Sequence, residues 1–157
     1  MGVAESTMTF LNEDTARVIL EAFHAAWSKG NVEGMLSWCH DDVTNFLNLG
    51  APDGGPLRLF GKAEMRAFLL PVVHVAESVT VPTSFTFRDN VGRAQIAAYV
   101  QHRRTRNVLS GTFRQVIIFA SFKIAAIEEF HDGAKMKAFW EMVAREEHQT
   151  DQAGEPD

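Results

Sequence analysis

The feature that most constrains the fold is a long series of strand-like segments in the second half of the chain. These segments span residues 78–88, 93–104, 108–122 and 124–130, and in the first of them Val79, Val81, Phe85 and Phe87 occupy alternate positions. The connections between these segments are short, and Asp89-Asn90-Val91-Gly92 has the composition of a tight turn. Because short connections join antiparallel neighbours, the pattern predicts an antiparallel meander.

Helical patterns precede and follow this meander. Asn12 can cap a first helix that ends at Gly30, and its apolar residues recur at helical spacing: Val18, Ile19, Ala22, Phe23, Ala26 and Trp27. Further helices begin at Asn31 and Gly61, and a last helix spans residues 133–146. Two short strands separate the early helices, at residues 43–49 and 57–60. This order predicts an α+β fold in which a curved antiparallel sheet wraps around the N-terminal helices as a cone.

One domain accounts for most of the 157 residues. We expect a flexible N-terminus over residues 1–11, the cone domain over residues 12–146 and a disordered acidic tail over residues 147–157. The net charge of -5 comes partly from this tail, so the folded part is nearly neutral. Nucleic-acid binding requires a basic face, and we therefore expect no nucleic-acid partner.

Several absences bear on the cellular setting. Cys39 is the only cysteine, so no intramolecular disulfide can form. The start of the chain lacks the basic and apolar regions of a signal peptide, and apolar runs such as Val116 to Ala120 are too short to span a membrane. The six histidines lack metal-ligand spacing. We therefore expect a cytoplasmic protein without a membrane segment, a metal or a cofactor.

Short motifs in a fixed order resemble those of the nuclear transport factor 2-like superfamily. The matching stretches are residues 25–31, 41–43, 60–62 together with Phe68, and 128–132. They span nearly the whole chain. The resemblance is to SnoaL-like polyketide cyclases, ketosteroid isomerases and limonene-epoxide hydrolases. It implies a single-domain cystatin-like roll with a pocket for a small hydrophobic molecule, and it implies a homodimer.

The same resemblance argues against the two best-known reactions of these families. The Tyr-x-Asn pair of the epoxide hydrolases aligns with Phe46 and Asn48, so only the asparagine is retained. Their Arg-x-Asp pair aligns with Ala98 and Val100. The base aspartate of ketosteroid isomerase aligns with Leu47. Neither ordinary epoxide hydrolysis nor the familiar steroid isomerisation is therefore expected.

Glu129 is the leading candidate for a catalytic residue. It aligns with a further aspartate of the epoxide hydrolases, and it follows an apolar strand whose burial would make its carboxylate a stronger base. Asn48 and His102 are the other candidates, because an amide can orient a ligand carbonyl or hydroxyl and an imidazole titrates near neutral pH. The alternatives are a structurally paired Glu129, an Asn48 bonded to the Gly50 loop and a solvent-exposed His102.

The candidate ligand-binding residues are Gln115 and four aromatic residues: Trp38, Phe46, Phe68 and Phe113. Gln115 could bond a polar group of the ligand, although it could equally bond a neighbouring strand. The aromatic side chains suit an apolar pocket wall, with Trp38 and Phe46 the best placed, but such residues can also belong to the core.

These residues predict a cofactor-independent acid–base enzyme that acts on a small hydrophobic metabolite as an isomerase, cyclase, dehydratase or hydrolase. The alternative is a non-catalytic protein of the same fold that binds a small molecule or serves in dimerisation. We expect the dimer contact on the exposed side of the long strands, which includes Tyr99 and Ile118.

Overall fold

The computed structural model describes residues 11–50 and 54–153. The described residues form four helices, α1 Glu13–Ser28, α2 Val32–Leu36, α3 Gly61–Val75 and α4 Gly133–Ala153. They also form six strands, β1 Cys39–Leu47, β2 Leu57–Phe60, β3 Ala76–Arg88, β4 Val91–His102, β5 Val108–Ala120 and β6 Lys123–Phe130. The predictions made for residues 1–10 and 154–157 lie outside the described part of the chain.

All six strands belong to one sheet in the order β2-β1-β6-β5-β4-β3. The strands from β3 to β6 form the predicted antiparallel meander, and β1 joins its β6 edge as a parallel neighbour. At the β3–β4 turn, Asp89 and Asn90 have positive φ angles of 52° and 63°. A two-residue hairpin turn needs this conformation, which aspartate and asparagine tolerate. The predicted α+β architecture is confirmed.

The helices lie on one face of the curved sheet, which we call the inner face. Asn12 caps α1 as predicted, because its Oδ1 accepts a hydrogen bond from Thr15 N at 2.8 Å. Side chains alternate between the two faces of each strand, and the inner face carries Ile96, Ile117 and Ile127 in the buried core. The outer face leaves large apolar side chains partly exposed to solvent.

Two predicted details of the helices were wrong. Val18 of α1 is 61% exposed, because the buried face of this helix is instead formed by Ala16, Ile19, Leu20, Phe23 and His24. The last helix continues beyond Glu146 to Ala153, so residues 147–153 are not a disordered tail. These residues make side-chain contacts that the sequence did not reveal, among them the contact of Glu147 with His102 and an exposed ion pair between Arg104 and Asp151.

None of the helices in the described residues is long and apolar enough to cross a membrane.

Candidate functional site

Five polar side chains form a continuous hydrogen-bonded chain across the inside of the cone, which we call the polar chain. His24 is its second member, with Nδ1 2.7 Å from Thr80 Oγ1 and Nε2 2.8 Å from Gln115 Oε1. Gln115 Nε2 donates to Glu129 Oε1 at 3.0 Å. Glu129 Oε2 lies 2.9 Å from His131 Nε2. The polar chain therefore links α1, three strands and the segment after β6.

The hydrogen bonds of the polar chain fix the role of each nitrogen. Because the Gln115 amide nitrogen donates to Glu129, its Oε1 must accept, and His24 therefore carries its proton on Nε2. His24 Nδ1 then accepts from the Thr80 hydroxyl. At the other end, the Glu129 carboxylate accepts from His131 Nε2–H. His24 is thus held in the Nε2–H form, and His131 presents an Nε2–H to Glu129.

The register of the sheet places these residues together. Gln115 of β5 and Glu129 of β6 are directly paired, so their side chains lie side by side on the inner face. His24 and Gln115 are 3% and 1% exposed. Burial lowers the pKa of His24 below its usual value of 6.5, against the opposing effects of the Gln115 hydrogen bond and the Glu129 charge. His24 is therefore a neutral structural link.

The Glu129–His131 end of the polar chain is its open end, since these side chains are 17% and 16% exposed. The His131 ring stacks on Phe113 with centroids 4.2 Å apart. The Asn48 side chain bonds both His131 N and His131 O at 2.9 Å. No hydrogen bond to His131 Nδ1 is made by any residue in the described part of the chain. His131 is therefore fixed by the stacked ring, by the Nε2 contact and by its backbone bonds, whereas its Nδ1 has no partner among the described residues.

The structure thus brings together four of the predicted site residues, Glu129, Gln115, Phe113 and Asn48. Asn48 has a different task from the one expected, because both ends of its amide hold the His131 backbone and neither is directed at a ligand. It is also not bonded to the Gly50 loop. Gln115 bonds neighbouring elements, as the alternative had it, but it does so inside the cone.

Three members of the polar chain were missed from the sequence. His131 follows Glu129 by two residues at the end of a strand, and this alternation was the available signal that both point to one face. His24 lies one helical turn after Leu20 on the buried face of α1, a position that also pointed inward. Thr80 had no distinguishing signal, because threonine is common in strands.

His102 does not belong to this site. It is 2% exposed at the end of β4, where its Nδ1 lies 3.0 Å from Thr105 Oγ1 and its Nε2 lies 3.2 Å from Glu147 of α4. Its ring also meets Trp140 edge-on. His102 is therefore neither a neighbour of Glu129 nor exposed to solvent, so the expected catalytic position and the expected exposure were both wrong. Helix α4 covers this residue.

Phe46 and Trp38 do not line the site either. Phe46 lies on the outer face, where it contacts Phe130 and the Arg58 guanidinium, because the inward residues of β1 are Val43, Asn45 and Leu47. The prediction for Phe46 assumed the opposite face of β1, and a shift of one residue along a strand reverses the face.

Trp38 lies at the far end of the sheet from Glu129. It precedes Cys39, the register partner of Ile124. The strand from Ile124 to Glu129 spans roughly 16 Å at about 3.3 Å per residue. The neighbouring Cys39 is fully buried, and burial raises the pKa of its thiol to about 12, so Cys39 is a core residue.

Phe68 lies at the same end of the sheet as Glu129. It packs against the core from α3, and its ring lies close to Gly50 beside Leu57. Leu57 pairs with Leu47, which in turn pairs with Glu129. Phe68 therefore lies in the same region as Glu129, and its contact with a ligand stays a prediction.

The two best-defined cavities among the described residues lie elsewhere. One, of about 240 Å³, is bordered by the end of α1, the end of α3 and the start of β3, and its lining includes Trp27, Val73 and Arg103. The other is a surface hollow beside Arg104 and Glu146. Neither is lined by Glu129, His131 or the five predicted ligand-binding residues. Neither of these two cavities is therefore the predicted pocket.

Comparison with solved structures identifies the fold. An NTF2-like protein of Burkholderia xenovorans superposes with a TM-score of 0.68 and 18% identity, covering 83% of this chain and 98% of that one. TerC, co-crystallised with polyporic acid, gives 0.71 and 20%, covering 81% and 98%. A limonene-epoxide-hydrolase-like enzyme of Mycobacterium tuberculosis gives 0.66 and 10%, covering 84% and 94%. No family model and no characterised protein matches the chain by sequence. The chain has the NTF2-like cone fold that the sequence resemblance implied.

Proposed function

We propose that this protein is a cofactor-independent acid–base enzyme for a small hydrophobic molecule, with His131 as the group that moves the proton. The observation that carries the proposal is the 2.9 Å contact between His131 Nε2 and Glu129 Oε2 at the open end of the polar chain. Glu129 keeps a catalytic part in this proposal, but as the partner that orients and polarises the imidazole.

The hydrogen bonds favour His131 over Glu129 as the proton carrier. Both oxygens of Glu129 are already occupied, one by Gln115 and one by His131. His131 donates a hydrogen bond from Nε2–H to Glu129, and its Nδ1 has no partner among the described residues. A carboxylate that fixes the tautomer of a histidine while the other ring nitrogen faces the reaction is a recurring arrangement for general-base catalysis.

The number of proton-transfer groups favours certain reactions. A single imidazole can take a proton from an acidic C–H or O–H group and return it at another position of the same molecule. Isomerisation and cyclisation need only such a transfer, so they are balanced without any further reactant. Hydrolysis or dehydration would also need a second group to protonate the leaving oxygen. We therefore propose an isomerase or cyclase ahead of a hydrolase or dehydratase.

The ligand is proposed to be largely apolar because the side chains around this end of the cone are apolar. Phe113, Leu47, Leu57 and Phe68 all pack at or against the core here. The co-crystallisation of TerC with polyporic acid supports a ring compound as a starting point for screening.

The central test replaces Glu129 by Gln and measures turnover over a panel of hydrophobic enones, hydroxyquinones and epoxides. We expect kcat to fall by at least about 100-fold with a much smaller change in KM, because the glutamine amide cannot hold the same His131 tautomer. Unchanged kcat in Glu129→Gln would overturn the catalytic assignment. Ligand binding with no turnover in the wild type would favour the non-catalytic alternative.

A second measurement does not depend on the substrate. Long-range ¹H–¹⁵N correlation spectra report the tautomer of each histidine. We expect neutral His131 to carry its proton on Nε2 in the wild type and to lose this preference in Glu129→Gln. A wild-type His131 protonated on Nδ1 would contradict the proposed role of Glu129.

We also propose that the outer face of the sheet is a homodimer contact. The side chains of Val79, Val81, Tyr99 and Ile118 are each between 39% and 52% exposed on this face. Apolar area of this kind on a sheet favours association with a second surface. Light scattering at micromolar concentration should give twice the chain mass, and Tyr99→Glu should shift the equilibrium to the monomer. A wild-type monomer would disprove the dimer and leave the site proposal unaffected.

A further inference from the structure

One buried polar atom inside the cone lacks the partner that its position demands. Asn45 faces inward from β1 and is only 6% exposed. Its Oδ1 is the one buried side-chain nitrogen or oxygen atom of the described residues that forms no hydrogen bond. Buried carbonyl groups are nearly always paired, so an exception of this kind calls for an explanation.

The neighbours of Asn45 in the sheet cannot supply that hydrogen bond. Its register partners are Leu59 on β2 and Ile127 on β6, whose side chains are apolar and buried. An unpaired carbonyl among such side chains destabilises the fold, and a leucine of similar volume would avoid this cost. The buried Oδ1 of Asn45 therefore contributes nothing to stability.

Asn45 lies deeper in the cone than the proposed reaction centre and on the same face. Ile127 is its register partner, and Glu129 is the next residue of β6 that faces inward. A step of about 6.6 Å along the strand and about 4.8 Å between strands places the two Cα atoms roughly 8 Å apart. Leu47, partly buried, lies between Asn45 and the open end along β1.

We propose that Asn45 is a specificity-determining residue for the ligand of this site, which accepts a hydrogen bond from a hydroxyl group at the inner end of an apolar molecule. This inference rests on the proposed function, since it takes His131 as the site of the reaction. An unpaired carbonyl needs a donor, so the ligand end that reaches Asn45 is a phenol, an enol or an alcohol. A ketone or ether oxygen would not bind there, because it and Oδ1 are both acceptors and their lone pairs would repel each other.

The chemistry of such a site predicts how it discriminates. A site built to hydrogen-bond a hydroxyl rejects the analogue that lacks it, because the buried polar group is then left unpaired. A leucine in place of Asn45 removes that penalty. The hydroxyl-bearing ligand would then lose its advantage while the plain hydrocarbon would not.

The test compares 2-naphthol with naphthalene, which differ only by the hydroxyl group. Binding is followed by tryptophan fluorescence in the wild type, in Asn45→Leu and in Thr44→Val, a control on the outer face of the same strand. We expect the wild type and the control to bind 2-naphthol at least about fivefold more tightly than naphthalene, the value of one ordinary hydrogen bond. In Asn45→Leu we expect equal affinities, with naphthalene bound no more weakly than before.

Three outcomes would overturn the inference: no binding of either probe, equal binding of both by the wild type, or a preference for 2-naphthol that persists in Asn45→Leu. If Asn45→Leu does not fold, the wild-type side-chain amide signals of Asn45 serve instead, because 2-naphthol at saturation should shift them further than naphthalene does. Unshifted signals at saturation would likewise overturn it. None of these readings involves turnover, so they are independent of the Glu129→Gln test.

Discussion

Two histidine–carboxylate pairs lie inside this fold, and they differ in what the second ring nitrogen does. His131 Nε2 is 2.9 Å from Glu129, and His102 Nε2 is 3.2 Å from Glu147. In the first pair both side chains are partly exposed. In the second pair the histidine side chain is 3% exposed and the carboxylate 38%. Similar contacts thus belong to the partly exposed end of the polar chain in one region and to the packing of α4 on the β4–β5 turn in the other.

The hairpin region uses every polar atom of its histidine. His102 Nδ1 meets both the hydroxyl and the backbone N–H of Thr105, which closes the β4–β5 turn. Its other nitrogen ties that turn to α4 through Glu147. His131 has no such bond at Nδ1 in the described part of the chain. A histidine with two fixed partners holds structure, whereas one with a free nitrogen is available for proton transfer.

The largest expected effect separates the two histidines by activity. His131→Gln should reduce kcat by about 100-fold to 10,000-fold, because it removes the proton-transfer group. His102→Gln should leave kcat within about twofold, since its side chain is distant from the site and contacts no part of the polar chain. Turnover of the same substrate by both variants provides the measurement, with circular dichroism to establish folding.

A loss of comparable size in both variants would break the comparison. It would mean that His102 acts on the reaction through α4 or that the site lies elsewhere. A loss confined to His102→Gln would reverse the assignments.

The second effect separates the same residues by stability, in the opposite order. His102→Ala should lower the free energy of unfolding by about 2 kcal/mol, because it leaves the buried space beside Trp140 and the Thr105 turn unfilled. His131→Ala should cost about 1 kcal/mol, since its side chain is partly exposed. Urea unfolding of both variants gives the comparison. A larger cost for His131→Ala would argue that the open pair is mainly structural.

Alternating patterns predicted the sheet well because each strand of the meander repeats a local rule. The ends of β3, β4, β5 and β6 all agree with the predicted segments to within two residues. The inward position of Gln115 and Glu129 also followed, because period-two alternation on adjacent strands places both on one face. These features depend on near neighbours in the sequence.

The site could not be completed in the same way because its remaining contacts depend on distant elements. His24 meets Gln115 only because α1 crosses the sheet, a relation that no local pattern contains. Phe46 and Asn45 show the sharper failure, since one residue of alignment decides which of them faces inward. Glu147 was assigned to a disordered tail because that segment is polar. Its contact with His102, which comes from a distant part of the chain, could not be predicted from that composition.

A third, smaller effect concerns the buried middle of the polar chain and depends on pH. Burial lowers the pKa of His24 below 6.5, so the unfolded chain binds its proton more readily than the folded chain. The stability that His24 contributes is therefore complete above about pH 7.5 and is lost as the pH falls through 6.5 toward the folded-state value. For one proton the slope is at most about 1.4 kcal/mol per pH unit.

His24→Gln should remove this part of the pH dependence while it keeps a hydrogen-bonding side chain next to Thr80 and Gln115. Urea unfolding between pH 5.5 and pH 8 should therefore show a flatter profile for the variant than for the wild type. The variant differs from the wild type only at residue 24, so the difference between the two profiles isolates His24. Parallel profiles would show that His24 is not the residue that senses pH.

The smallest effect divides the hairpin region into a buried part and an exposed part. The Arg104–Asp151 pair lies on the same helix–hairpin contact as His102–Glu147, but its side chains are 49% and 62% exposed. Water and salt screen such charges, and ordering two long side chains offsets most of their attraction. Arg104→Ala should therefore leave the urea midpoint unchanged within error at 0.15 M salt. If it destabilises the protein as much as His102→Ala does, α4 is held to the hairpin chiefly by surface charge, and the buried histidine is not the main contact.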